Sequence, residues 1–171
     1  MDITELTHTS LLGIYLNDHL AGSTAGVSLI ERTAHAHQGT PAGPPLTKLA
    51  KEIAEDREAL LEFMSALEID IARYKLVGAW IAERAGRLKL NGRLLSRSPL
   101  SSVVELEGML LGVEGKGAVW RSLRALADRD SRLDAAKLDR LIARAKAQSR
   151  TLEKLRVAAA AEAFADDVEP G

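Results

Sequence analysis

The stretch Leu46-Thr-Lys-Leu-Ala-Lys-Glu-Ile-Ala-Glu-Asp-Arg-Glu-Ala-Leu-Leu-Glu-Phe63 decides the fold. Leu46, Ile53 and Leu60 recur every seven residues and continue at Leu67. Leu49, Asp56 and Phe63 form the companion series. Two interleaved sevens are the a and d positions of a helix that lies along its neighbours in a bundle. One member is out of character. Asp56 puts a carboxylate where leucine is expected, and a carboxylate taken out of water needs partners.

Working outward, the same spacing appears in three other segments. From about residue 8 to 37, Leu12, Leu16, Leu20, Ser23, Val27, Ile30 and Ala34 follow helical spacing, with His19 on the same seam. Gly13, Gly22 and Gly26 interrupt this segment, each at a cost of roughly 1 kcal/mol relative to alanine. They predict close approach of a neighbouring helix. The run His35-Ala-His-Gln-Gly-Thr-Pro-Ala-Gly-Pro-Pro45 supplies breakers, so the second helix is expected over about 46–69.

A third helix is predicted over 99–127, with Ser98 as N-cap and Pro99 at the first position. Its series are Val103, Leu110 and Gly117, and Leu106, Val113, Trp120 and Ala127. Gly112, Gly115 and Gly117 mark a kink or a close crossing. After the polar turn Asp128–Asp134 a fourth helix is expected over about 134–165. Leu138, Ala145, Leu152 and Ala159 make one of its seams; Leu141, Gln148, Leu155 and Glu162 make the other. The acidic end from Asp166 onward is expected to fray.

The connection 70–98 is long. Leu76, Val77, Trp80 and Ile81 suggest an additional amphipathic helix, and Arg84, Arg87, Lys89, Arg93 and Arg97 follow with no acid between them. A solvated connection pairing with acids on the bundle is the leading reading of that basic patch. Contact with an anion or nucleic acid is the minor one, because aromatics are not interleaved. Two antiparallel hairpins joined by a long crossover predict one all-α domain over 1–171, a ferritin-like four-helix bundle with the extra helix in the crossover.

Composition agrees with this. The chain has 171 residues, 46% hydrophobic and 27% charged, enough for one folded core. With 4% aromatics the core must be aliphatic, and the wealth of Ala and Leu favours helix over strand. A net charge of -1 supplies no general attraction for nucleic acid or an anionic membrane. The absence of cysteine excludes disulfides and thiolate metal sites. Met-Asp-Ile-Thr-Glu-Leu lacks the features of a signal peptide, and no apolar run has membrane-span length, so a cytoplasmic protein is expected.

Three seams carry a polar residue: His19, Asp56 and Gln148. Counted from the end where the second helix stops, these residues and Glu114 lie roughly 16–21 Å deep. Counted from the other end, Ser23 and Gly26 stand opposite Asp56 instead. Such a layer is read first as a hydrogen-bond network that fixes register. A small-ligand pocket is the next reading, and an iron or manganese site built from His19, Asp56 and Glu114 the third.

The ligand pattern of di-iron bundles, Glu-x-x-His on two helices, is missing. Its single occurrence, Glu5-Leu-Thr-His8, stands at the N-terminus. His35 and His37 read as surface residues, with Glu31–His35 as a minor metal-pair alternative. Ser23 lies one turn from His19, but neighbouring turns of one helix do not assemble base, orienting acid and oxyanion donors. Gly112-Val-Glu-Gly-Lys-Gly117 has neither the spacing of a phosphate-binding loop nor a preceding strand.

In architecture the chain resembles the ferritin-like four-helix bundle class, whose iron ligands do not map onto it. Leu16-Asn-Asp-His-Leu-Ala-Gly22, Lys51-Glu-Ile-Ala-Glu-Asp-Arg57, Gly86-Arg-Leu-Lys-Leu-Asn-Gly92 and Glu105-Leu-Glu-Gly-Met-Leu-Leu-Gly-Val-Glu-Gly-Lys116 are similar to a group of uncharacterised bacterial, chiefly actinobacterial, proteins. That resemblance brings no activity with it. The expectation is a non-catalytic binding or structural protein, a homodimer, with no catalytic residue and no cofactor assigned. Glycine-bearing helix faces and Trp80 or Trp120 are the candidate contact surface. A metal-binding or oxidoreductase bundle is the alternative.

Overall fold

A computed structural model of the chain describes residues 10–72 and 99–167, without the side chain of Asp166. The basic patch Arg84, Arg87, Lys89, Arg93 and Arg97, the expected crossover helix with Trp80, Ser98 and His8 lie outside the described residues. The described residues form four α-helices: α1 (Leu11–Ala36), α2 (Gly43–Ala66), α3 (Pro99–Ala127) and α4 (Ala135–Ala163), followed by a 3₁₀ turn at Ala165–Asp167. None of the described helices is long and apolar enough to cross a membrane.

Local chemistry fixes the ends of these helices. Ser10 caps α1, its Oγ accepting from the Gly13 amide at 2.9 Å. Asp134 does the same for α4 through the Lys137 amide, also at 2.9 Å. The second helix begins at Gly43, earlier than the expected position 46. Pro44 and Pro45 occupy its first turn, where backbone N–H groups have no intrahelical acceptor and proline costs nothing. Gly43 is required there: a Cβ would stand 2.7 Å from the His37 carbonyl oxygen.

α2 stops at Ala66 rather than near 69. Glu68 takes φ 56°, its N–H donating to Ser65 O at 3.0 Å, and Ile69 N–H donates to Met64 O at 2.9 Å. This is a Schellman ending made without glycine. The chain beyond is tied back to α1 by buried Asn17. Its Nδ2 donates to Asp70 O at 3.0 Å and its Oδ1 accepts from Ala72 N at 2.8 Å.

The seven-residue seam of α2 is buried as expected, Leu46, Leu49, Ile53, Asp56, Leu60, Phe63 and Leu67 all facing inward. Trp120, expected as contact surface, is instead part of the core, with its ring centroid 6.1 Å from that of Phe63. Its position in the seam with Leu106 and Val113, both buried, directs it inward.

α1 packs along α2, α2 touches α4 lightly, α4 packs most extensively along α3, and α3 returns against α1. These four contacts close a square. Cross-contacts set the directions: Thr33 Oγ1 lies 3.3 Å from Glu105 Oε2, Gln148 Nε2 lies 3.2 Å from Glu52 Oε2, and Lys137 pairs with Glu62. Every neighbouring pair is therefore antiparallel, while α2 and α3, on one diagonal, are parallel. The end of α2 and the start of α3 therefore stand at opposite ends of the bundle. α3 alone has 29 residues, about 43 Å of helix.

Candidate functional site

Along α1 burial is complete at Leu16 and Leu20 and again at Ile30, Thr33 and Ala34, but at no residue from Ala21 to Leu29. Its middle does not close on the other helices. A cavity of about 420 Å³ opens there, walled by α1, α2 and α3. Its base is apolar, with Ile53 and Leu60 from α2 and Met109, Val113, Val119 and Trp120 from α3. Gly22 and Gly26 line one side, Gly108, Gly112 and Gly115 the other.

The glycines behave differently from the expectation of close helix approach. A Cβ at Gly22, Gly26 or Gly112 would meet nothing within 4 Å. Their missing side chains leave open space instead of admitting a neighbour. Gly117 fits the packing reading, with Ala145 Cβ of α4 at 3.6 Å from its virtual Cβ, and a Cβ at Gly115 or Gly108 would meet His19 or Leu29 of α1, respectively, at 3.8 Å.

His19 lines this cavity beside Asp18, half-buried, in edge contact with Tyr15 at 4.6 Å between ring centroids. Burial lowers its pKa from the ordinary 6.5, with Asp18 opposing. Neutral imidazole is thus favoured at the cavity wall.

Asp56 is also a cavity residue, and the polar layer is centred on it. Its side chain is 1% exposed, as is Gln148. Oδ1 accepts from Arg144 Nη2; Oδ2 accepts from Lys116 Nζ and from Gln148 Nε2, the last at 3.1 Å. Lys116 Nζ donates as well to Gln148 Oε1 at 2.7 Å. On the outer side Gln148 Nε2 reaches Glu52 at 3.2 Å and Arg144 Nη1 reaches Glu55 at 3.1 Å. Burial pushes the Lys116 ammonium below its ordinary pKa of 10.5; Asp56 pulls it back, and Arg144 adds to the lowering.

Of the polar residues expected to share a layer, then, Asp56 and Gln148 meet directly, and His19 shares the cavity with Asp56 without entering the hydrogen-bonded layer. Glu114 points away, exposed, its Oε1 accepting from Ser149 Oγ. Among the described residues no group of three His, Asp or Glu side chains is placed to hold a metal ion. His35 and Glu31 are exposed, and His37 Nε2 lies 3.3 Å from Ser102 Oγ at the opposite end of α1.

No protein-family model matches this chain, nor does any curated protein or solved structure. Its chemistry must be read from the site itself. Two members of the layer, Lys116 and Arg144, are not conspicuous in the sequence because basic residues on a helix are normally solvated. A signal is present: Arg144 precedes Gln148 by four, so both lie on one helical face. Lys116 stands next to seam residue Gly117 in a run with little bulk to shield it.

Two donors remain unspent around the cavity. An ammonium carries three N–H groups, and Lys116 uses two, toward Asp56 and Gln148. The indole Nε1–H of Trp120, also a lining residue, is buried with no acceptor among the described residues. Both Asp56 oxygens already accept, so the groups left unspent at the cavity are hydrogen-bond donors. Asp18, His19 and Ser23 all line it, but among the described residues no hydrogen bond joins the three, and Ser23 Oγ donates instead to Leu20 O at 2.7 Å.

Proposed function

We propose that the protein is a non-catalytic binding protein that takes a small, predominantly apolar molecule into the cavity between α1, α2 and α3. The observation that carries this reading is the glycine-walled apolar space of about 420 Å³ with the Asp56 layer at its edge. Small-molecule sites typically measure about 300–1,000 Å³ and combine apolar walls with a few placed polar groups. Five glycines line the gap between α1 and α3, three of them facing open space, at positions where alanine would be the better helix former, which is consistent with a space maintained for an occupant. The down-up-up-down run of the helices supports the ferritin-like arrangement as architecture, with the cavity replacing any metal layer as the working part.

Titration with N-phenyl-1-naphthylamine, a neutral dye that brightens in apolar surroundings, tests the proposal. One saturable site is expected. In a Gly26→Leu/Gly112→Leu variant, whose new side chains enter open space, saturable binding should disappear while far-UV circular dichroism stays helical. Failure of the unaltered protein to bind the dye saturably overturns the reading.

A further inference from the structure

We infer that the molecule held in this cavity carries a single carboxylate head, taken up by the free N–H of Lys116, on an otherwise apolar body. The inference rests on the binding reading above and specifies its ligand class. It starts from a donor count. Lys116 Nζ donates to Asp56 Oδ2 and Gln148 Oε1, and no third acceptor stands against it among the described residues. Its side chain is 15% exposed and lines the cavity, so the remaining N–H is available to an occupant. The Trp120 indole N–H, on the same wall and without a partner among the described residues, adds to the shortage of acceptors.

Charge distinguishes the possible heads at this point. Asp56, 1% exposed, already pairs with Lys116 and Arg144, whose side chains are 15% and 29% exposed, and Glu52, 23% exposed, already accepts from Gln148 Nε2. The unspent N–H belongs to an ammonium, so it attracts a carboxylate and repels a cationic head. A neutral hydroxyl could accept one hydrogen bond from the ammonium, but a bond between two charged groups is roughly twice as strong. Burial of the ammonium, which disfavours its charged form, is offset by the anion.

Decanoate and decan-1-ol share a chain and differ in the head, and each can be titrated against dye-loaded, unaltered protein. Decanoate is expected to bind about tenfold or more tightly than decanol, the ratio that corresponds to one charge-assisted bond. In Lys116→Met the preference should vanish, decanoate losing more affinity than decanol; Asp56 retains Arg144 and Gln148, so the helices stay joined. Arg57, the other cation at the cavity, serves as control, and Arg57→Gln should keep the preference. Equal or tighter binding of decanol to the unaltered protein overturns the inference but leaves cavity binding standing, as does a preference that persists in Lys116→Met. Absence of dye binding overturns both.

Discussion

Asp56 is almost fully enclosed, and donors from Lys116, Arg144 and Gln148 converge on its carboxylate. Removing a partner from such a cluster leaves the others buried and uncompensated, at about 3–5 kcal/mol. Asp56→Ala should therefore lower the unfolding free energy by about that amount in urea titrations, and a loss under 1 kcal/mol would show that Lys116 and Arg144 find water instead. His19 makes a different prediction, in pH. Its pKa is lowered in the folded protein, chiefly by burial. Between that lowered value and the unfolded 6.5 the unfolded chain binds more protons than the folded one, so stability falls as pH drops through the interval. Below it the loss is complete. His19→Gln should flatten the fall in melting temperature between about pH 7.5 and 5; an unchanged slope would assign the acid sensitivity elsewhere. At this scale the sequence revealed the acceptor and hid the donors. An acid in a leucine seam is conspicuous, whereas Lys116 and Arg144 resemble any solvated helix cation, since a long stem lets the same residue serve either environment.

Glycines show where the reading of single helices stops. A glycine in a helix removes a side chain whether a neighbour or a void takes the space, and the sequence of one helix contains neither. The structure separates the two cases. Gly22, Gly26 and Gly112 face open space, so replacement by alanine should stabilise by about 0.5–1 kcal/mol each, the ordinary gain in helix propensity. Gly43 faces the His37 carbonyl at 2.7 Å from a virtual Cβ, and Gly43→Ala should destabilise by about 1–3 kcal/mol through the forced backbone shift. Glu68 completes the series, because it holds φ 56° at the end of α2. Glu68→Gly should stabilise by about 1 kcal/mol. Chemical unfolding of the five variants gives the order directly, and a destabilising Gly26→Ala would restore the close-packing reading. Helix positions themselves were legible, since the sevens around Ile53 and Val113 depend only on burial along one face. The start of α2 was not: Pro44 and Pro45 read as breakers although the first turn of a helix accepts them.

The whole molecule combines these parts into a square bundle with one loose side. α4 lies closely on α3, helped by Gly117 against Ala145, whereas a cavity opens beside the middle of α1 where it faces α3. Neither feature belongs to a single helix. Two hairpins and a long connection were enough to anticipate the all-helical bundle, but the cavity depends on how glycine faces from distant segments are juxtaposed, and no periodicity within one segment records that. A cavity on the loose side has a thermodynamic consequence. Any molecule that occupies it in the folded state alone must raise stability by mass action, about 2.7 kcal/mol at a hundredfold excess over Kd. For a domain of this size that corresponds to a melting temperature higher by about 5–10 °C, increasing with the logarithm of ligand concentration. The Gly26→Leu/Gly112→Leu variant, already filled, should melt higher than the parent without ligand and show no further shift on addition of decanoate. Equal shifts in parent and filled variant would place the binding outside the cavity and leave the glycine faces without a ligand role.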